Sequence, residues 1–235
     1  EVQANAELVD VGKTRGEQHL NQEAINSMLV NLASLGKQVV RLKGGDPFIF
    51  GRGGEEALAL KQAGLDFEVV PGVTSVVAAP AYAGIPLTHR GVATSFTVVS
   101  GAEDPSKNAS SIPWDILAHT GGTLVVLMGW SSLSNTVTSL INANMSLSTP
   151  VALVRWGSKP NQKTITGTLE NIVTKGNEAG LSPPIVAIIG PVVGLRQEIG
   201  WYDRSPLFGK RVLVTRSHTQ ASVFSQLLSD KGAEP

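Results

Sequence analysis

The sequence predicts an α/β protein of two domains. Short β-branched runs alternate with segments of helical periodicity, most runs end in glycine or proline, and a polar proline-containing stretch over residues 86–93 divides the chain. Alternation of strand and helix is the pattern of a parallel, doubly wound sheet. With 235 residues, 42% apolar, and 25 glycines, the chain can bury one or two cores.

The elements follow in order. Leu8 to Val11 reads as a strand closed by Gly12, and Asn21 caps a helix in which Ile25, Met28, Leu29, Leu32 and Leu35 share a face before Gly36 ends it. Gln38 to Leu42 reads as a strand, Glu55 to Ala63 as a helix, and Phe67 to Val70 as a strand that stops at Pro71-Gly72. Thr74 or Ser75 starts a helix through Tyr82. Beyond the hinge, strands are expected at Ser95 to Ser100, Thr123 to Met128, Val151 to Arg155, Thr164 to Leu169 and Ile185 to Ile189, with a helix over Leu133 to Ile141 and a polar loop from Gly101 to Pro113. The pattern breaks at Arg204 to Pro206. Leu207 to Arg216 then opens a new strand, followed by a helix from Gln220 to Lys231. Three segments result: an N-terminal α/β domain over 1–92, a C-terminal α/β domain over 93–203, and a linker with the start of a further unit over 204–235.

Composition excludes several chemistries. Lys plus Arg and Asp plus Glu both number 19, so no global field argues for nucleic acid or an anionic membrane, and an anionic substrate has to be caught locally. There is no cysteine for a disulfide, a thiolate nucleophile or a metal, and the 4 histidines lack ligand spacing, so no metal is expected. No apolar run reaches the roughly 18 residues of a membrane span, and a cytoplasmic protein is expected.

The stretch from Val39 to Gly54, VVRLKGGDPFIFGRGG, joins an apolar run to a glycine-acid-proline loop. Glycines there permit positive φ and close backbone approach, and in an open α/β sheet ligands sit at the carboxyl ends of the strands. Taken alone, Gly44-Gly45-Asp46-Pro47 is an ordinary turn. The run RLKGGDPFIFGRGGEE, followed in order by FEVVPGVTS and AGIPLTHRG, resembles the tetrapyrrole methylase family over about the first 200 residues. That resemblance implies a cofactor cleft between a mostly parallel N-terminal sheet and a mixed C-terminal sheet. It also implies transfer of methyl groups from S-adenosyl-L-methionine to two pyrrole carbons of uroporphyrinogen III, giving precorrin-2, in a homodimer. Gly44, Gly45, Asp46, Ile49, Thr74, Ser75, Met128 and Gly157 would contact the cofactor, Lys13 would be the proton donor, and Arg15 and Arg52 would hold substrate carboxylates. Lys43 and Arg90 are further local cations.

Without the resemblance, Met128 reads as a strand-end core residue, Gly157 as a turn glycine, and Thr74 or Ser75 as a helix cap. Two other readings stay open: a related methylase acting on a later corrin precursor, and a non-catalytic cofactor-binding or dimerisation module. Members of the family begin with a strand, a Gly-x-Gly-Pro-Gly-Asp loop and a Tyr-Asp segment that this sequence does not contain, so weak or absent activity is expected of the chain as given. The segment from Leu207 onward resembles the opening βα unit of uroporphyrinogen-III synthases.

Overall fold

The computed structural model describes residues 5–12, 20–102, 111–215 and 218–235. The chain divides into two compact units, Glu1–Thr74 and Ser75–Pro235.

In the first unit two helices pack together, α1 (Gln22–Ser34) and α2 (Gly53–Gln62). The Asn21 side chain accepts from the amide of Ala24, and Gly36 ends the helix at φ +76°, as the sequence predicts. The strands expected at Leu8 to Val11, Gln38 to Leu42 and Phe67 to Val70 do not appear: no described residue of this unit belongs to a ladder. Val40 and Leu42 are 80% exposed and Val70 73%. A β-branched run becomes a strand only where another backbone takes up its N–H and C=O groups, and here none does.

The second unit carries the sheet. Helix α3 (Ser75–Tyr82) leads to β1 (Phe96–Ser100), α4 (Trp114–Leu117), β2 (Thr123–Leu127), α5 (Leu133–Asn142), β3 (Pro150–Arg155), β4 (Lys163–Thr168), α6 (Ile172–Glu178) and β5 (Ile185–Ile189). Short 3₁₀ turns and α7 (Arg196–Ile199) follow, then α8 (His218–Asp230). The strand order is β1-β2-β5-β3-β4. β1 and β2 are parallel, whereas β5 is antiparallel to both β2 and β3. Consequently β1, β2 and β3 point the same way and end on one edge of the sheet.

Side chains alternate across this sheet as the strand period requires. Leu124, Val126, Leu153, Ala187 and Ile189 face α4, α5 and α6 with Leu133, Val137, Leu140 and Ile172. Val125, Leu127, Ala152, Val154, Val186 and Ile188 face α3 with Val76, Ala79 and Ala83. The four-residue α4 and the seven-residue α6 lack the length for a periodic signal, and they close the first face. At the C-terminal end Leu207 N donates to Lys231 O, and Arg211 forms an isolated parallel bridge with Glu234 in place of the expected strand. No described helix is long and apolar enough to cross a membrane.

Leu140 is 0% exposed on α5, whereas Leu213 is 87% exposed. Leu140→Ala is expected to cost about 2–5 kcal/mol and Leu213→Ala less than about 0.5 kcal/mol, as read from urea unfolding midpoints.

Candidate functional site

In the first unit the loop that follows residue 43 folds back on itself. Phe48 N donates to Asp46 Oδ1 at 2.9 Å, and Gly53 N to Pro47 O at 2.9 Å. A Cβ on Gly51 or Gly53 would lie 2.6 Å from Pro47 O, so the loop closes only with glycine at both places. Phe50 and Arg52 hold positive φ, at 53° and 58°, a conformation that non-glycine residues seldom adopt.

Asp46 does more than close this loop. Its Oδ2 accepts from Gly72 N at 3.0 Å, which ties residues 44–53 to the Pro71-Gly72 turn ahead of Thr74. The two backbones touch, since a Cβ on Gly72 would sit 2.2 Å from Gly45 O. The amides of Gly72 and Phe48 stabilise the carboxylate against the opposing effect of burial, with a smaller contribution from Ile49, and hold its pKa below the ordinary aspartate value. Gly45 stands at φ +81° with Thr74 Cα 3.6 Å from its Cβ position, whereas a Cβ on Gly44 would meet nothing within 4 Å. Phe48, Ile49 and Phe50 remain half exposed. This unit therefore brings Gly44, Gly45, Asp46, Ile49 and Thr74 into one loop cluster with an open glycine, a fixed acid and accessible apolar surface.

Lys43 departs from the sequence expectation. Its Nζ reaches Glu56 Oε2 at 2.8 Å, and Arg41 and Gln22 donate to the same carboxylate at 3.2 Å each. Burial acts to raise the Glu56 carboxyl, but the hydrogen bonds from Lys43 and Gln22 and the charges of Lys43 and Arg41 outweigh it and lower the pKa. Lys43 thus serves an internal ion cluster that pairwise sequence reading missed, because its partners lie 13 and more residues away. Arg52 pairs with Glu55 at 2.6 Å on the surface. Lys13 and Arg15 lie outside the described residues.

In the second unit Ser75 opens α3. Met128 follows β2 directly, at φ +54° and half exposed, and Gly157 lies two residues past β3, between Trp156 at φ +51° and Ser158 at φ +72°. Both sit on the edge where β1, β2 and β3 end. Gly157 has a packing requirement of its own, since its Cβ would lie 2.7 Å from Ala79 Cβ on α3. Gly101 and Gly129, which the sequence reading passed over, meet on the same edge: a Cβ on Gly101 would lie 2.4 Å from Gly129 Cα. Gln162 was likewise missed; it is 5% exposed and bonded to the loop around Gly157. Among the described residues no cluster of His, Cys, Asp or Glu could hold a metal.

The positive-φ residues mark these loops. Of the six non-glycine residues with positive φ among the described residues, Phe50, Arg52, Met128, Trp156 and Ser158 fall in the two loop regions and only Asn144 falls elsewhere. Backbone held in sparsely populated regions clusters at ligand sites.

The family model for Tetrapyrrole (Corrin/Porphyrin) Methylases matches residues 2–173. The chain is 45% identical over 197 residues to an S-adenosyl-L-methionine-dependent uroporphyrinogen III methyltransferase of Methanosarcina barkeri, covering 84% of this chain and 77% of that protein. It is 42% identical over 234 residues to the porphyrin biosynthesis protein HemD of Ruminiclostridium josui, covering 100% of this chain and 46% of that protein, so it spans about half the length of that relative. The crystal structure of uroporphyrin-III C-methyl transferase from Thermus thermophilus complexed with S-adenyl homocysteine is similar with a TM-score of 0.64 and 37% identity, over 74% of this chain and 75% of that one.

Two outcomes test the loop cluster. Gly72→Ala is expected to cost about 1–3 kcal/mol by overpacking against Gly45, measured by urea unfolding, with lost hydrogen-exchange protection at Phe48 and Gly53. Because the folded pKa values of Asp46 and Glu56 are lowered, their stabilisation is present above the unfolded pKa and is lost as pH falls through the folded one. The amide shifts of Phe48 and Gly72 should titrate together with a midpoint below that of a free aspartate, and in Asp46→Asn that shared titration should vanish.

Proposed function

The chain belongs to the tetrapyrrole (corrin/porphyrin) methylase family, and on that basis we propose that it serves S-adenosyl-L-methionine-dependent C-methylation of uroporphyrinogen III at two pyrrole carbons, giving precorrin-2. The observation that supports this reading is that constrained loops carry several of the cofactor positions read from sequence, Gly45 and Asp46 with the neighbouring Ile49 in one unit and Met128 and Gly157 in the other; Gly44, Thr74 and Ser75 are assigned by the resemblance. S-adenosyl-L-methionine would supply a methyl group already activated on a sulfonium. The task left to this chain is to hold acceptor carbon and methyl in line in a site shielded from water.

The residues divide that work. Among the described residues the N–H groups of Gly44 and Gly45 have no acceptor, which leaves them available to polar groups of the cofactor. Asp46, by tying Phe48 to Gly72, keeps the two loops of the first unit in register. Ile49 and Met128 offer accessible apolar surface to the adenosyl and methionyl parts. Lys13 would donate a proton or, as a cation, hold a propionate of the tetrapyrrole, and Arg15 and Arg52 would receive its carboxylates. No metal takes part in this scheme.

The reading extends to the rest of the protein. A homodimer acting in the cytoplasm is proposed, with residues 204–235 as the opening of a uroporphyrinogen-III synthase-like domain. The parallel bridge between Arg211 and Glu234 on either side of α8 supports a βα start, and the exposed Leu213, Val223, Phe224 and Leu227 support a unit that packs against more chain.

Calorimetric titration with S-adenosylhomocysteine should give saturable one-site binding. Asp46→Ala and Met128→Ala should each weaken it by about tenfold or more. Methyl transfer to uroporphyrinogen III would follow. Transfer to a later corrin precursor instead would favour a related methylase, and binding without transfer to either acceptor would favour a non-catalytic module.

A further inference from the structure

The seven residues that connect β3 to β4, Trp156 to Gln162, carry Gly157 between two non-glycine residues of positive φ, Trp156 and Ser158. L-residues resist that conformation, so the surroundings have to impose it. Two side chains converge on Ser158. Gln162 accepts from Ser158 N at 3.0 Å through Oε1, and its Nε2 donates to Tyr82 O at 3.2 Å and to Thr164 Oγ1 at 3.3 Å. Tyr202 donates its hydroxyl hydrogen to Ser158 O at 3.1 Å.

Both clamps are themselves anchored. Gln162 is 5% exposed and bonded through both ends of its amide, so its rotamer is fixed. The Tyr202 ring stands edge-on to Tyr82 at 4.8 Å and to Phe208 at 5.4 Å. Burial, then the nearby Tyr82, raises the Tyr202 hydroxyl above its ordinary value, so it remains a donor at neutral pH. Gly157 rests against Ala79 of α3, and the Arg155 guanidinium lies 3.7 Å from the centre of the Trp156 ring. Thus the N–H and the C=O of Ser158 are each held, and its neighbours on the β3 side are packed.

We infer that Gln162 and Tyr202 are positioning residues for cofactor binding: by holding Ser158 at both its N–H and its C=O, they fix the turn that presents Gly157 to the cofactor. The inference rests on the proposed role of Gly157 as a cofactor contact. It assigns a part in binding to two residues that no motif marks, and one of them, Tyr202, comes from the short 3₁₀ turn Tyr202–Arg204, 40 residues beyond Gln162.

The test measures S-adenosylhomocysteine affinity by calorimetry beside thermal midpoints. Tyr202→Phe keeps the ring and deletes one hydrogen bond, so affinity should fall about fivefold with little change in midpoint. Gln162→Leu should lower affinity about tenfold or more and lower the midpoint. Adding Ser158→Gly to Gln162→Leu lets the turn reach positive φ without the clamp. That double variant should recover most of the affinity while its midpoint stays low, since Tyr82 O remains unpaired. Affinity that tracks the midpoint through all three variants, or variants that bind like the parent, would overturn the positioning role alone. A parent chain that does not bind S-adenosylhomocysteine would overturn the proposed function and this inference with it.

Discussion

Insertion of β5 between β2 and β3, antiparallel to both, is the constraint on which the second unit depends. It buries Ile185 to Ile189 on both faces and supplies ladder partners on both edges. It also has a geometric consequence: reversing direction twice leaves β2 and β3 parallel to each other, two strand spacings of about 4.8 Å apart. Met128 and Trp156 therefore leave the sheet on the same edge. A sequence in which Ile185 to Ile189 paired outside β2 and β3 would not bring those two ends together.

The first unit obtains its order by other means. Without a ladder, its loops are held by a carboxylate between two amides, Asp46 to Phe48 and Gly72, and by glycine contacts at Gly51, Gly53 and Gly72 that admit no side chain. An acid receiving two backbone hydrogen bonds is a compact way to join two loops. The same arrangement makes the joint sensitive to protonation, because the neutral acid accepts more weakly.

How much of this was legible in the sequence depended on whether the partner was local. α1 with its Asn21 cap, α3, α5 and β5 were read almost to the residue, because a cap, a periodic face or a glycine stop lies within a few positions of each. Met128 was placed at a strand end and Gly157 in a turn by the same logic, but Met128 is half exposed where a core residue was read. Their positive or neighbouring positive φ, and the contact of Gly157 with Ala79, were not legible, since those follow from tertiary packing. The strands expected in the first unit failed for a related reason. Val40, Leu42 and Val70 have the residue type of a strand, yet residue type supplies only half of a ladder. Gln162 was not legible because the contact that anchors it across the fold, the carbonyl of Tyr82, lies 80 residues away, although Ser158 and Thr164 are close in sequence.

The charge balance admits a sharper statement than composition alone allowed. A protein of net charge zero that handles a polycarboxylate needs cations that are free to change partners. Lys43 is not such a cation. Its side chain is 10% exposed against a Glu56 that is 7% exposed and that also receives Arg41 and Gln22, so giving up this partner would break into a buried ion cluster. Arg52 differs in kind: it and Glu55 are both 50% exposed, so water already competes for the pair. Breaking the pair with Glu55 strands no buried charge, and the two-pronged contact of the guanidinium is made at the surface. Among the cations of the glycine-rich loop, burial thus separates a lysine held in a buried cluster from an arginine whose pair is open to water, although both stand beside glycines and both precede an acid.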